Sequence, residues 1–218
     1  MPAGGAGDAP YARERDVAVA AVRAAALVCR AVRRDFDTRL AVAKDDRSPV
    51  TVADLGAQVV VSLALAEAFP QDPLMGEEDA QQIQADPAVA DGVRRALASV
   101  RPDIDDAAMA AALERGRDAG GAGRRWWTLD PVDGTKGFLR NEQYAVALAL
   151  VDRNMPQVAV LGCPNLPTSD GSATGCLFVA VRDQGAWELS LDDPGAAPGE
   201  GAESGAGGRL GDPCDRDP

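Results

Sequence analysis

The chain has 218 residues, of which 46% are hydrophobic and only 4% aromatic, enough for one medium-sized domain whose core is built mainly from small aliphatic side chains. The formal net charge of −12 argues against nucleic-acid binding, and the lack of any histidine excludes Ser-His-Asp and Cys-His nucleophile systems as well as histidine zinc sites. Because the cysteines form no Cys-x-x-Cys pair, and neither a secretion signal nor an apolar run long enough to span a bilayer is visible, we expect a soluble, cytoplasmic protein without a membrane partner, with an organelle as the alternative.

The first part of the chain is predicted to be helical. Apolar residues recur at helical spacing over residues 13–34, which indicates an amphipathic helix. Residues 48–52 look extended, and a second helix is predicted after them, ending before Pro70. The apolar stripe of this second helix consists of Leu55, Val59 and Leu63.

Short and polar segments follow. Residues 74–75 make a short apolar step that predicts a brief strand. Residues 80–118 are polar and rich in alanine, which indicates two surface helices, with Asp103 as the cap of the second. The glycine cluster at 120–123 predicts a loop.

From residue 125 the pattern becomes typical of strands. Segments rich in β-branched and aromatic residues are parted by turn residues, and the step DRNMP between the second and third predicts a hairpin. Helices followed by such strands indicate an α+β fold, with layered helices against a mostly antiparallel sheet and an unpaired sheet edge near residues 186–191. The predicted strands are WWTLD, QYAVALALV, QVAVLGC, CLFVAVR and AWELSL.

Both ends of the chain are predicted to lack a fold. Residues 1–10 are predicted to form a flexible N-terminus. Residues 192–218 are rich in Gly, Ala and Asp, and Leu210 is their one large apolar residue. So little apolar surface cannot offset the entropy lost on ordering, so this segment is predicted to be disordered.

Acidic residues stand at the ends of several predicted elements. Asp54 begins a helix, Glu77 and Glu78 follow a short strand, and Asp130 and Asp133 end and follow another. If these side chains converge, two charges about 4 Å apart repel by roughly 4 kcal/mol at an effective dielectric of about 20, so the cluster needs cations or raised pKa values. Oxygen ligands without histidine or cysteine favour hard metals, Mg²⁺ first.

Each acidic motif also has an ordinary structural interpretation. Asp54 follows Thr51 by three positions in a pattern similar to a capping box. Residues 77–79 alone would be a solvated acidic loop, and residues 130–134 alone would be a tight turn. The order and spacing of the motifs decide between the interpretations.

In chain order, SPVTVAD, MGEED and WTLDPVDGTKGFLR resemble the lithium-sensitive, magnesium-dependent phosphatase superfamily that includes the inositol monophosphatases. DGTKGF, with Lys136 and Gly137 where inositol monophosphatases usually have Thr-Asn, is similar to the 3′(2′),5′-bisphosphate nucleotidase branch. The resemblance covers residues 11–191, which it implies are an N-terminal phosphatase domain with the start of a second domain.

The resemblance implies a role for each site residue. Glu77, Asp130, Asp133 and the backbone carbonyl of Val132 would hold Mg²⁺, with Mn²⁺ as a substitute. Asp54 and Thr135 would orient the attacking water, and the amides of Gly134 and Thr135 would face the phosphate.

The chain departs from the family pattern in two respects. Asn141 stands where a glycine is usual, which is a mild change because Asn tolerates left-handed backbone geometry. A later Trp-Asp-x-Ala motif, whose Asp completes the metal site in the family, is absent, so the second domain is expected to be truncated.

The implied function is Mg²⁺-dependent hydrolysis of the 3′-phosphate of a small-molecule substrate, adenosine 3′,5′-bisphosphate, with its sulfated parent as a further candidate. The alternatives are an inositol phosphate phosphatase and a catalytically silent fragment that acts only in metal binding or interaction.

Overall fold

The structure is a computed structural model that describes residues 9–40, 49–193 and 207–210, with the backbone alone for 38–40 and 207–210. The helices are α1 (Ala12–Leu40), α2 (Pro49–Ala68), α3 (Gln81–Ala85), α4 (Pro87–Leu97), α5 (Asp106–Arg115) and α6 (Thr135–Arg140). The strands are β1 (Leu74–Met75), β2 (Trp126–Asp133), β3 (Ala145–Asp152), β4 (Met155–Pro167), β5 (Thr174–Val181), β6 (Gly185–Ser190) and β7 (Gly207–Leu210).

The strands form one sheet of seven in chain order, β1 to β7. Every neighbouring pair is antiparallel except β1 and β2, which run parallel. The α+β prediction with a mostly antiparallel sheet is confirmed. The predicted hairpin joins β3 to β4 through Arg153 and Asn154, both with positive φ, as a tight turn between twisted strands requires.

The core lies between the sheet and a layer of helices. α1 packs on α2 and across β3, β4 and β5, while α2 packs on β2, α4 and α5. One sheet face supplies alternate apolar residues, such as Leu148, Val160 and Val179, which are aligned across β3, β4 and β5 and buried. The small side chains predicted for the core let the helices approach closely, since a Cβ on Gly56 would lie 2.8 Å from the Val28 side chain.

The start of α2 differs from the prediction. α2 begins at Pro49, so the extended prediction for 48–52 is wrong over residues 49–52, and residue 48 lies outside the described residues. Proline suits the first helical turn, where its missing N–H needs no partner. Val50 is buried against the core, and that burial outweighs the low helix propensity of the β-branched run.

The region 80–118 contains three helices, α3 to α5, and not two. The cap of α5 is Asp105, whose carboxylate accepts from the Ala108 amide at 2.7 Å, so the assignment of Asp103 was wrong. An N-cap must reach an amide in the first turn, and Asp103 stands two positions too early for that. Asp86 caps α4 in the same way, accepting from Ala88 at 2.9 Å.

The edge of the sheet at β6 and β7 also differs from the prediction. Strand β7 pairs antiparallel with β6 from Ala186 to Leu189, so the predicted unpaired edge is covered over these residues. The predicted disorder of 192–218 is wrong for Gly207–Leu210, because strand pairing uses backbone groups and needs no large side chains. The rest of that prediction from residue 194, apart from these four residues, and nearly all of the flexible segment 1–10 lie outside the described residues.

The expectation that no apolar run is long enough to span a bilayer is wrong for α2, which among the described residues is the one helix long and apolar enough by length and composition. Its most apolar window is 61% buried inside the fold. Its polar residues Gln58 and Ser62 are fully buried and hydrogen-bonded to neighbouring segments. These contacts are those of a core helix.

Candidate active site

Two parallel strands bring Glu77 and Asp130 to the same end of the sheet. Met75, the last residue of β1, lies opposite Thr128 of β2. Glu77 and Asp130 each stand two residues after this pair, and the charge of Asp130 raises the pKa of Glu77, so the two acids lie near each other. Acids from two separate strands converge because these strands are parallel neighbours.

The turn after Asp130 carries a second acid. The pairing of β2 with β3 is regular up to Asp130 and resumes at Asp133, with a bulge between them. The backbone amide of Val132, inside this bulge, partly offsets the rise of the Asp130 pKa. Val132 is buried, whereas Asp133 is exposed, so the bulge anchors the apolar side chain and turns the second acid outward.

Gly134 and Thr135 lead from this turn into α6. Gly134 has φ 94° and ψ 44°, a left-handed conformation that favours glycine. Thr135, the first residue of α6, is exposed. Because α6 packs against α2, Thr135 begins an element that contacts the helix carrying Asp54.

Asp54 lies inside α2 and not at its start. The helix begins at Pro49, so Asp54 is in the second turn, beyond the amides that an N-cap side chain serves. Its side chain is 9% exposed, which makes it the most buried of the predicted site acids. The capping interpretation is excluded, and a buried carboxylate requires another explanation.

The electrostatics show that the acids from the three segments interact. Burial and the charges of Glu78, Glu77 and Asp130 raise the pKa of Asp54 to about 8. Burial, Asp130 and Asp133 raise the pKa of Glu77, and burial and Asp133 raise that of Asp130. Each pKa lies above its ordinary value because the carboxylate is partly removed from water and lies near other carboxylates.

Two residues near these acids received no role from the sequence. Glu78 is half-buried, and its charge has the largest Coulombic effect on the pKa of Asp54. Gln58, one helical turn after Asp54, accepts hydrogen bonds from the backbone amides of Glu77 and Glu78. A glutamine in an otherwise apolar helix was the signal in the sequence, together with the glycine that precedes Glu77.

The comparison with known families agrees with this arrangement. A family model described as the inositol monophosphatase family matches residues 12–197, which is most of the chain and includes every predicted site residue. The chain belongs to the inositol monophosphatase family. The resemblance stated from the sequence is thereby confirmed.

Several curated proteins that are similar to this chain are bisphosphate nucleotidases. The 3′(2′),5′-bisphosphate nucleotidase of Schizosaccharomyces pombe is 38% identical over 199 residues, with 82% of this chain and 56% of the relative covered. That of Dictyostelium discoideum is 36% identical over 187 residues, covering 84% and 56%. That of Oryza sativa is 38% identical over 208 residues, covering 84% and 57%, so the chain spans little more than half the length of these relatives.

The acids of this inositol monophosphatase family member fit a hard divalent cation by donor chemistry. All the donors are oxygens, and the raised pKa values of Glu77 and Asp130 mark a region that a cation would stabilise. Over 9–40, 49–193 and 207–210, no three Asp, Glu, Cys or His side chains stand at the spacing that holds one metal ion. Glu77 and Asp133 are exposed, and exposed side chains exchange rotamers readily.

Proposed function

We propose that the acids at the ends of β1 and β2, with Asp54 of α2, form the catalytic site of a Mg²⁺-dependent phosphatase that hydrolyses the 3′-phosphate of adenosine 3′,5′-bisphosphate. The observation that carries this proposal is the convergence of Asp54, Glu77 and Asp130 from three separate segments, where their charges repel one another. The names of the relatives, all bisphosphate nucleotidases, support the nucleotide as the substrate class.

The cation would be held by the carboxylates of Glu77, Asp130 and Asp133 and by the backbone carbonyl of Val132. Such oxygen ligands suit Mg²⁺, with Mn²⁺ as a substitute. When bound, the metal supplies an activated water and stabilises the leaving oxygen in an in-line displacement. The bulge between Asp130 and Asp133 supports this assignment, because it keeps both acids at one end of β2.

Asp54 and Thr135 would act on the attacking water. In this proposal the Asp54 carboxylate accepts the hydroxyl proton of Thr135, and the Thr135 oxygen then orients the water. Contact between α2 and α6 supports the pairing, and the burial of Asp54 strengthens a hydrogen bond to it by excluding solvent. Burial and then the neighbouring carboxylates raise the Asp54 pKa, and a cation that offsets those carboxylate charges would lower it, which favours the ionised form in the loaded site.

Gly134 and Thr135 would bind the phosphate through their backbone amides. Gly134 is exposed and has no side chain, so a substrate can approach its backbone closely. The sulfated parent of the nucleotide carries the same 3′-phosphate and is a second candidate substrate. Because the chain has a net charge of −12, such polyanions depend on the cation to approach the site.

The test is phosphate release by the 218-residue chain from adenosine 3′,5′-bisphosphate and from inositol 1-phosphate, each with and without Mg²⁺. We expect Mg²⁺-dependent release that favours the nucleotide. Asp133→Asn should lower kcat/KM by more than the 10–100-fold typical of losing an outer-shell partner of a metal site. Its matched control is Asp183→Asn, which makes the same charge change in the exposed β5–β6 turn.

Three results would contradict the proposal. Phosphate release that does not depend on Mg²⁺ would contradict the proposed metal site. Full activity in Asp133→Asn would contradict the assignment of Asp133 as a metal ligand. A preference for inositol 1-phosphate would leave the site in place but replace the substrate class.

A further inference from the structure

Gln58 is a fully buried amide whose hydrogen bonds all go to the acidic loop that follows β1. Its Oε1 accepts the backbone amides of Glu77 and Glu78, each at 3.0 Å. Its Nε2 donates to the carbonyl oxygen of Glu78 at 2.6 Å. Burying an amide costs several kcal/mol unless such bonds are made, so this side chain is fixed by the backbone of two consecutive acids.

Two glycines from different loops make room for the Gln58 amide. A Cβ on Gly76 would lie 2.4 Å from Gln58 Oε1, and a Cβ on Gly116 would lie 2.5 Å from Nε2. The Gly76 amide also donates to the Gly116 carbonyl at 2.7 Å, which joins the two loops. A side chain at either glycine would therefore have to displace the Gln58 amide.

The position of Gln58 along α2 links the loop to Asp54. Residues four apart on a helix lie on the same face, a little more than one turn or about 6 Å apart along the axis. Asp54 and Gln58 have this spacing, and the charge of Glu77 acts on Asp54. One rigid helix thus carries an acid of the site and also the group that holds the backbone of Glu77.

We propose that Gln58 is a positioning residue of the acidic site. It fixes the Glu77 backbone so that the Glu77 carboxylate faces Asp130 and keeps a constant position relative to Asp54. This inference rests on the proposed function, because Glu77 is there assigned as a metal ligand. Gln58 itself contacts neither the cation nor the substrate. Its effect passes through the backbone of residues 77 and 78.

Ser62 provides a matched control on the same helix. It stands one turn further along α2, is fully buried, and donates from Oγ to the Ala112 carbonyl of α5 at 2.7 Å. Ser62 and Gln58 both tie α2 to a neighbouring segment through a buried hydrogen bond. Only Gln58 is bonded to the acidic loop, so a purely structural role would give the two residues the same phenotype.

The experiment compares wild type, Gln58→Met and Ser62→Ala in the 218-residue chain. Mg²⁺ affinity is measured by calorimetric titration, stability by urea unfolding, and the loop by hydrogen exchange at the Glu77 and Glu78 amides. We expect both variants to lower the urea midpoint. Gln58→Met should also weaken Mg²⁺ binding by about 10-fold or more and speed exchange at both amides, whereas Ser62→Ala should change neither.

Gly76→Ala perturbs the contact between Gly76 and the Gln58 amide from the loop, and it tests the inference if Gln58→Met does not fold. It should displace the Gln58 amide and weaken Mg²⁺ binding in the same way. The inference would be overturned, and the proposed function would stand, if Gln58→Met and Gly76→Ala bind Mg²⁺ as tightly as wild type. The same conclusion would follow if Ser62→Ala weakens Mg²⁺ binding as much as they do. A wild-type chain that binds no Mg²⁺ would overturn the proposed function and the inference together.

Discussion

Asp54 combines two properties that a fold does not normally tolerate, since it is a carboxylate that is both buried and surrounded by other acids. Burial and the charges of Glu78, Glu77 and Asp130 raise its pKa to about 8, against about 3.9 for an unperturbed Asp. A buried acid beside other acids destabilises the metal-free fold, although it serves the proposed reaction. Asp54 should therefore oppose stability and support activity.

We predict that Asp54→Asn stabilises the metal-free protein at alkaline pH while it abolishes most of the phosphatase activity. The unfolded chain ionises Asp54 near pH 4 and the folded chain only near pH 8, so wild-type stability falls as pH rises through this window. Asn has no such dependence. After allowance for solvent screening, the advantage of the variant should grow by on the order of 1–2 kcal/mol between pH 4 and pH 8.

The measurement is urea unfolding of both proteins in EDTA at several pH values. Parallel stability curves for wild type and Asp54→Asn would show that the Asp54 pKa is not raised. A wild-type value of kcat in Asp54→Asn would contradict the proposed role of Asp54 in catalysis.

The sequence indicates the candidate site acids but not the group that holds the Glu77 backbone. Asp54, Glu77, Asp130 and Asp133 follow from motifs at the ends of elements, and the electrostatics place the first three in one region. Gln58 stands out in the sequence as a polar residue in an apolar stretch of helix, but its partners are backbone atoms about 20 residues away, so the sequence does not indicate which segment it holds.

The junction between β2 and α6 is the most crowded element boundary of the site. A Cβ on Gly137 would lie 1.8 Å from the Gln143 carbonyl oxygen, and one on Gly134 would lie 3.3 Å from the same atom. Asn141, which follows the last residue of α6, has φ 57°, a left-handed conformation that Asn tolerates. The turn that presents Asp133 and Thr135 is held in place by this contact with the segment before β3.

We predict that Gly137→Ala destabilises the fold by about 2 kcal/mol or more, because the methyl group must displace backbone and not a flexible side chain. Gly123→Ala is the control. Gly123 has φ 74° but open space around it, so alanine there should cost only about 1 kcal/mol of backbone strain. Urea unfolding of both variants measures the difference, and equal losses would mean that the Gln143 contact does not constrain α6.

Strands and helix ends differed in how well the sequence predicted them. The β2 to β6 strands follow from alternation and turn residues, because one face of each is buried and the other is not. The start of α2 and the cap of α5 depend on tertiary burial and on one hydrogen bond. β7 carries no apolar pattern, and only its pairing with β6 defines it.

At the scale of the whole molecule, the acids meet at one end of the sheet because the β1–β2 pair is parallel in an otherwise antiparallel sheet. The helical layer covers one sheet face and brings Asp54 toward this end through α2. The chain spans 56–57% of the length of the relatives described above. The central claim therefore concerns the metal site that lies within this span.

The most direct test is anomalous scattering from crystals of the 218-residue chain soaked in Mn²⁺. The account predicts a peak about 2.1 Å from carboxylate oxygens of Glu77, Asp130 and Asp133 and from the Val132 carbonyl oxygen. Asp130→Asn should remove that peak. The account would be contradicted if the strongest anomalous peak lies elsewhere, such as at Glu78 and Asp79, or if the peak in Asp130→Asn is as strong as in wild type.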